Sequence, residues 1–584
     1  MANNKLVYDL RDKPKFSKLV LYSFQMLLAI LAATIAVPTI IGLPSQIPSA
    51  IIGAGIGTLV YVFFTKERSP VMLSSSFAFI SSLTMAVGFG YMGIVVGGIL
   101  AGLVYVVIAI IVKCIGTKWV NKLMPPVIIG PVVSLIGLSL ATNSVADLTK
   151  STATGNTYNL FALLCGLVTF FTVVVLTVQN KHKGLKLIPF IIGILVGYLL
   201  ASIFTIFGNA FNVSYLKIIK WDDLINNFKE IKFTSFVDYP RLAIVEAIKE
   251  LAQEHVSEAI RAANPKAQLI SGVGIAKIAL AFIPVAFVTF AEHLADHKNI
   301  SSIIGRDLIN QEPGLSRTLM GDGVGSIAGT ALGICPNTTY GESVACVALT
   351  RNASVYTTIA TAVLCILLSF ITPFNKALAT IPNCVMGGVC LALYGYISVS
   401  GLRMFKDVDL DDNMNLLTVC VILIVGIGGL VIKIPYEFTG DDITGAIELS
   451  SIASALILGI CVFQLCKKIT GRSTIISEVN ANVKQEDRVR SYLKKFELEK
   501  LTRAMFIFGL MHENIDYTAA TLSSFFRSKD YLNLRSREEL IELINMFNLK
   551  GLKPRMSKID LIKLINKDCF DIDKKDLPKI TGIN

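Results

Sequence analysis

The sequence predicts an all-α polytopic membrane protein with about fourteen transmembrane segments in two inverted repeats of seven. Three observations carry this fold class. First, 53% of the 584 residues are hydrophobic and only 16% charged, with mean hydropathy +0.63. Soluble domains carry roughly 25% charged residues. Second, the deficit is concentrated from about Leu19 to Leu465, where apolar runs follow one another. Many are near the roughly 20 residues that a helix needs to cross a bilayer. Third, two of these runs are broken by polar residues at corresponding places in the two halves. A helix satisfies its own backbone polar groups, which lipid cannot do. A β-barrel would need short alternating strands, and "GGILAGLVYVVIAIIV" does not alternate.

The elements follow in order. Residues 1–16 form a polar, basic N-terminal segment, and the first apolar run is long enough to span rather than be cleaved. Spans are expected at 17–41, 48–65, 72–90, 93–114, 125–142, 158–178, 187–208, 274–295, 318–334, 341–352, 354–373, 378–398, 414–433 and 446–467. Together they make a transporter-like domain over 17–467. Between the seventh and eighth lies a long connection, about 209–273. Its stretch "RLAIVEAIKELAQEHVSEAIRAA" places Ile244, Ile248, Leu251, Val256 and Ile260 near helical spacing. That predicts one amphipathic helix, packed on the protein or on the membrane surface. Residues 468–584 are charged and span-free, and read as a cytoplasmic helical tail. Ser536 and Ser557 are each placed to cap a short helix there. This pair of helices weakly resembles small helix–turn–helix nucleic-acid-binding modules. A regulatory or dimer-contact tail is the expectation, and nucleic acid is not expected as a partner.

Orientation follows from lysine and arginine in short loops, which stay cytoplasmic. Lys66 and Arg68, then Lys118 and Lys122, then Lys181, Lys183 and Lys186 fall in alternate connections. The intervening "GLPSQIPS" and "GFGYMG" carry none. Both termini are expected in the cytoplasm, the long connection outside, and the protein in the cell membrane. The eleven cysteines are scattered, with no CxxC, and read as small buried hydrophobes.

The polar breaks are "LSSSFAF", Leu73 to Phe79, and "CPNTTYGE", Cys335 to Glu342. Interrupted segments at matching places in two repeats point to a transporter's binding site. A half-helix N-terminus offers free N–H groups and a positive dipole end to a substrate carbonyl. The bland alternative is a kink at Pro336 with Ser and Thr bonding back to the helix. Carboxylates inside spans are functional candidates by default. Glu292 sits at the expected cytoplasmic end of the eighth span, and Glu342 closes the second break. Burial disfavours the charged form of a carboxyl, so such an acid can carry a proton and suits a proton-coupled site.

Two other patterns lead elsewhere. Glu292, His293, Asp296 and His297 in "EHLADH" have spacings that could bind a metal. No HExxH is present and no further cluster supplies ligands, so no metal is expected. "GAGIG" (Gly53 to Gly57) and "GDGVGSIAG" (Gly321 to Gly329) look superficially like nucleotide loops. Small residues at these spacings let membrane helices approach closely, and packing is the reading for both.

Several motifs together resemble a known family. These are "ATIAVP" in the first span, "SSFAFIS" in the third, and "AEHLADHKNISSIIGRDLINQEPGLSRTLMGDGVGSIAGTALGICPNTTYGESVACVALTR". "IPNCVMGGVCLALYGYISVSGLR" in the twelfth is another. In order and spacing they resemble the nucleobase:cation symporter-2 (nucleobase–ascorbate transporter) family, in its uracil-permease branch. The resemblance runs from about Ser17 to about Leu465. It implies a core domain (spans 1–4 and 8–11), a gate domain (spans 5–7 and 12–14), a homodimer, and proton-coupled uptake of uracil by alternating access. No cofactor is implied, and the proton is the coupling ion. Matched motif by motif, Glu292 would bind uracil and link it to protons. Gly341 and Phe77 would offer backbone N–H groups to its carbonyls, and Glu342 would accept from a ring N–H. Ala33, Tyr340 and Tyr394 would line the pocket.

The chain departs from the family pattern in places. Ser343 and Ala345 stand where the family carries Asn and Gly, and Gln25–Met26 where uracil permeases carry Gln–His. Asp296, four residues after Glu292, stands where one member has His, and joins Glu292 as the expected proton-coupling pair. A purine or xanthine carrier of the same family is the alternative reading. A sulfate-permease-like anion carrier is more distant, since it would favour a cation near the half-helix ends.

Overall fold

Long apolar runs become helices, and their stops are set by a few local devices. The structure is a computed structural model that describes residues 6–153, 158–179, 185, 188–229, 231–439 and 442–470, with Ser557 and Asp560. In the first half, α1 is Phe16–Ile40, α2 Ile47–Phe64, α3 Ile80–Val87 and α4 Gly90–Ile115. Next come α5 Lys118–Leu123, α6 Pro126–Leu148, α7 Leu160–Val178 and α8 Pro189–Ala210. The long connection holds α9 Asp222–Lys229, α10 Ala243–Gln253 and α11 Glu258–Ala263. The second half holds α12 Gly272–Ile304, α13 Leu315–Leu332, α14 Gly341–Thr350, α15 Val355–Ser369 and α16 Thr372–Ala379. It closes with α17 Asn383–Arg403, α18 Asn413–Ile427 and α19 Ser451–Ile469.

The caps are legible in the residues. Ser271 Oγ accepts from Gly274 N–H at 3.1 Å to open α12, and Gly305 closes it at φ 69°. Asn159 Oδ1 accepts from Phe161 and Ala162 N–H to open α7. Prolines stand in the first turn of α6 and α8, where no amide hydrogen is needed.

Nine helices among the described residues are long and apolar enough to cross a membrane, and three shorter ones are apolar. Length and composition alone therefore do not reach the predicted fourteen. The remaining two predicted spans are α13, which is glycine-rich, and the short α14. The eighth span also corrects its prediction: α12 has 33 residues. At about 1.5 Å per residue it exceeds the roughly 30 Å hydrocarbon core. Glu292 therefore lies in the helix interior, not at its end.

The helices pack in two groups. In the first, α2 and α4 flank α13, α15 packs on α1 and α2, and α12 on α4. In the second, α17 packs on α6, α7 and α8, and α18 on α6. Ile422 of α18 fills the space beside Gly459 of α19. The groups meet where α12 touches α6 and α1 touches α17. The glycine motifs serve the close approach. A Cβ on Gly53 would lie 2.5 Å from Gly329 O, and one on Gly57 2.9 Å from Gly325 O.

Strands enter in two places. Leu73–Ser75 (β1) and Asn337–Thr339 (β2) pair antiparallel inside the protein, with Leu73 opposite Thr339 and Ser75 opposite Asn337. Ile432–Thr439 (β3) and Asp442–Leu449 (β4) form a hairpin between α18 and α19. That hairpin shortens the last two predicted spans, because Ile432, Lys433 and Ile434 alternate with period two. The predicted single amphipathic helix is two. Glu254 takes φ 57° and separates α10 from α11. Val256 and Ile260 turn inward, whereas Ile248 and Leu251 are exposed.

Residues up to Leu465 form one compact unit. The tail reading falls largely outside the described residues. There, Ser557 Oγ accepts from Asp560 N–H at 3.2 Å, the capping contact expected of that serine.

Candidate functional site

The site starts from the two polar breaks, which hydrogen-bond to each other. The β1–β2 ladder joins the third and tenth predicted spans, and Ser76 N–H extends it to Pro336 O at 3.1 Å. Each strand runs directly into a short helix: Phe77–Phe79 leads to α3, and Gly341 opens α14. The first N–H groups of a helix have no acceptor within it. The Phe77 and Gly341 amides therefore end the two strands as donors, each at the positive end of a helix dipole.

Side chains from other helices hold the ladder. Thr58 of α2 bonds the Leu73 backbone on both sides, with N–H to Oγ1 at 3.0 Å. Asn337 Nδ2 donates to Gly53 O at 2.7 Å. Thr34 Oγ1 lies 2.8 Å from Ser74 Oγ, which brings α1 against β1; Ala33, next to Thr34 in α1, is fully buried. Ser343 makes a further tie. Its Oγ accepts from Met72 N–H at 3.2 Å and donates to Tyr340 O at 2.7 Å. The hydroxyl thus prolongs the ladder by one residue. Ser343 faces the support of the site, whereas Gly341 faces Asp296: a Cβ on Gly341 would stand 3.5 Å from Asp296 Oδ1.

Four carboxyls meet here. Glu292 and Asp296, four residues apart on α12, share a face of the helix. Glu292 lies within Coulombic reach of Asp296, Glu342 and Asp322. It is half-buried, and its carboxyl forms no hydrogen bond to another of the described residues. Aromatic rings close the space. Phe77 and Tyr394 of α17 meet edge to face with centroids 5.4 Å apart, and Tyr340 is buried beside Glu342. The structure thus gathers Glu292, Asp296, Gly341, Glu342 and Tyr340 on one side. It sets Phe77 and Tyr394 together at the β1 end of the same ladder, with Ala33 buried in the adjoining α1.

One of these carboxyls, Asp322, belongs to a polar layer whose partners Thr318 and Tyr61 were not singled out in the sequence. His293 Nδ1 is 2.6 Å from Asp322 Oδ2, and His293 Nε2 is 3.1 Å from Thr318 Oγ1. Asp322 also accepts from Thr339 N–H at 3.4 Å, so it braces β2. His297 Nδ1 lies 2.8 Å from the His293 carbonyl, which fixes Nε2 as the acceptor for Tyr61 OH, also at 2.8 Å. Both histidines are engaged in these contacts. No group of three or more His, Cys, Asp or Glu that could hold a metal occurs among the described residues. Packing accounts for the glycines of "GDGVGSIAG" but not for its aspartate. An acid inside an apolar span was the available signal for Asp322.

Comparison with known proteins adds the wider context. The Permease family (Xan_ur_permease) matches residues 17–435. The uracil permease of Bacillus caldolyticus is 37% identical over 457 residues, covering 78% of this chain and 94% of that protein. The uracil permease of Bacillus subtilis (strain 168) is 34% identical over 466 residues, covering 79% and 95%. That of Escherichia coli (strain K12) is 30% identical over 477 residues, covering 81% and 97%. Among solved structures, the murine anion transporter Slc26a9 in its inward-facing state aligns with TM-score 0.52 at 9% identity. It covers 79% of this chain and 69% of that one, a likeness of fold alone.

Proposed function

Since the chain belongs to the Permease family, and is a transporter rather than an enzyme, we propose that it takes up uracil together with protons by alternating access. The observation that carries this reading is the ladder-linked pair of helix N-termini facing a cluster of carboxyls. Uracil is flat and neutral, with two N–H donors and two carbonyl acceptors. The amides of Phe77 and Gly341 complement its carbonyls, and the carboxyls of Glu292 and Glu342 its N–H groups. Phe77, Tyr340, Tyr394 and Ala33 supply the apolar walls for a planar ring. The named relatives are uracil permeases aligned over nearly their whole length, which supports uracil over another nucleobase.

Proton coupling rests on Glu292 and Asp296. A carboxylate accepts from the ring N–H, and its protonated form donates to a carbonyl, so substrate and proton each change the other's affinity. No cofactor enters this scheme. We place the protein in the cell membrane as a homodimer with both termini in the cytoplasm, on the lysine and arginine pattern of its short loops and the family resemblance. A purine or xanthine carrier is the nearest alternative. An anion carrier fits less well, because the charged side chains around the half-helix ends are acids.

Radiolabelled uptake in proteoliposomes with an imposed inward proton gradient tests the proposal. Uracil should accumulate and be lost when a protonophore collapses the gradient. Glu292→Gln should lower uptake about 10- to 100-fold, the equivalent of a hydrogen bond to a charged group. Intact accumulation in Glu292→Gln, or competition by xanthine and not by uracil, overturns it.

A further inference from the structure

Helix α10 presents three distinct sides. Successive residues advance about 100° around a helix. Ala243, Ala247 and Glu250 fall on one side and are buried against the protein. Glu250 fixes that side: its Oε2 accepts from Tyr91 N–H at 2.7 Å and its Oε1 from Ser257 N–H at 2.9 Å. A second side carries Val245, Ile248 and Leu251, which are 41%, 57% and 45% exposed. A third carries Glu246 and Lys249, paired at 2.7 Å, and the exposed Gln253. The apolar stripe thus points away from the protein, bordered by a charged flank. Water on every side would not reward this division, whereas a boundary between water and hydrocarbon would.

The same connection carries a second apolar surface that runs into the flank of a span. Phe233 and Phe236 are 79% and 50% exposed. Asp238 N–H donates to Phe370 O and Thr372 N–H to Phe236 O, both at 3.0 Å, so residues 236–238 are bonded to the end of α15. On α15 and just beyond it, Val363, Leu367 and Ile371 repeat every four residues and are all exposed. Such a stripe on a span faces lipid. Val237 bridges directly to Ile371, so the exposed surface of the connection continues the lipid-facing one. Helix α10 itself lies on Gly90 and Tyr91, the start of α4. Both attachments are therefore at span ends, where aromatic and amphipathic segments meet the headgroups.

We infer that the connection between α8 and α12 is an interfacial membrane anchor, with Val245, Ile248 and Leu251 of α10 and Phe233 and Phe236 buried in the lipid of the adjoining leaflet. Glu250 holds α10 at the angle that turns its apolar stripe to the bilayer and its Glu246–Lys249 flank to water. This reading is independent of the substrate.

Tryptophan quenching on the full-length protein in proteoliposomes tests it. Ile248→Trp and Leu251→Trp are compared with Lys249→Trp after subtracting the signal of the parent, which holds Trp119 and Trp221. Lipids brominated near the top of the acyl chains should quench the tryptophan at 248 or 251 at least about twofold more than that at 249, and aqueous acrylamide should do the reverse. Leu251→Trp serves if Ile248→Trp does not reconstitute. Quenching at 248 and 251 by acrylamide without quenching by brominated lipid overturns the proposal. Such a result would mean that the stripe faces water or awaits a protein.

Discussion

At the scale of single residues, Ser343 is the most informative position. It departs from the Asn of the family pattern, and the structure places its hydroxyl between Met72 and Tyr340. Ser343→Ala leaves the buried Met72 N–H without an acceptor, at a cost of about 1–3 kcal/mol. Thermal unfolding of the purified protein should register that loss, and Ser343→Thr, which keeps the hydroxyl, should recover most of it. The departure from the pattern was visible in the sequence; the partner was not, since no spacing rule connects residue 343 with residue 72. Glu292 and Glu342 were legible because an acid in an apolar run is conspicuous. Asp322 was equally conspicuous, but the glycines around it offered a sufficient explanation of their own.

At the scale of elements, helices were legible and their joints were not. Apolar runs marked most of the long helices within a few residues. The break at Glu254 was hidden because apolar positions keep near-helical spacing through Val256 and Ile260. The β1–β2 ladder was hidden for a different reason: three-residue strands have too little period to read, and the pairing joins Leu73–Ser75 to Asn337–Thr339, far apart in the sequence. Glu250 offers a test at this scale. Glu250→Ala removes both acceptors, the one that ties α10 to α4 and the one that ties it to the start of α11. Limited proteolysis should then cut within 240–258 faster than in the parent, with the spans intact. Glu250→Gln, which keeps one acceptor oxygen, should be cut at an intermediate rate.

At the scale of the whole molecule, composition alone fixed the class. The grouping of helices needed more, because the first group draws α1–α4 and α12–α15 from two stretches of the sequence that α5–α11 separate. The family match ends at residue 435, and 78–81% of this chain covers 94–97% of the length of the relatives. Truncation after Thr470 should therefore leave uracil uptake within about twofold, as expected when a domain can fold alone. Initial rates corrected for the amount of protein in the membrane provide the check.

The inner ladder also bears on how such a chain can change over generations. A strand slipped by one residue turns every side chain to the opposite face. Leu73 to Phe77 and Asn337 to Gly341 are thus two rulers of matched length, read against each other. A codon gained or lost in either would carry one helix N-terminus past its counterpart, whereas the connection between α8 and α12 can lengthen at its surface. Substitutions can retune this site, but insertions and deletions are confined to other parts of the gene.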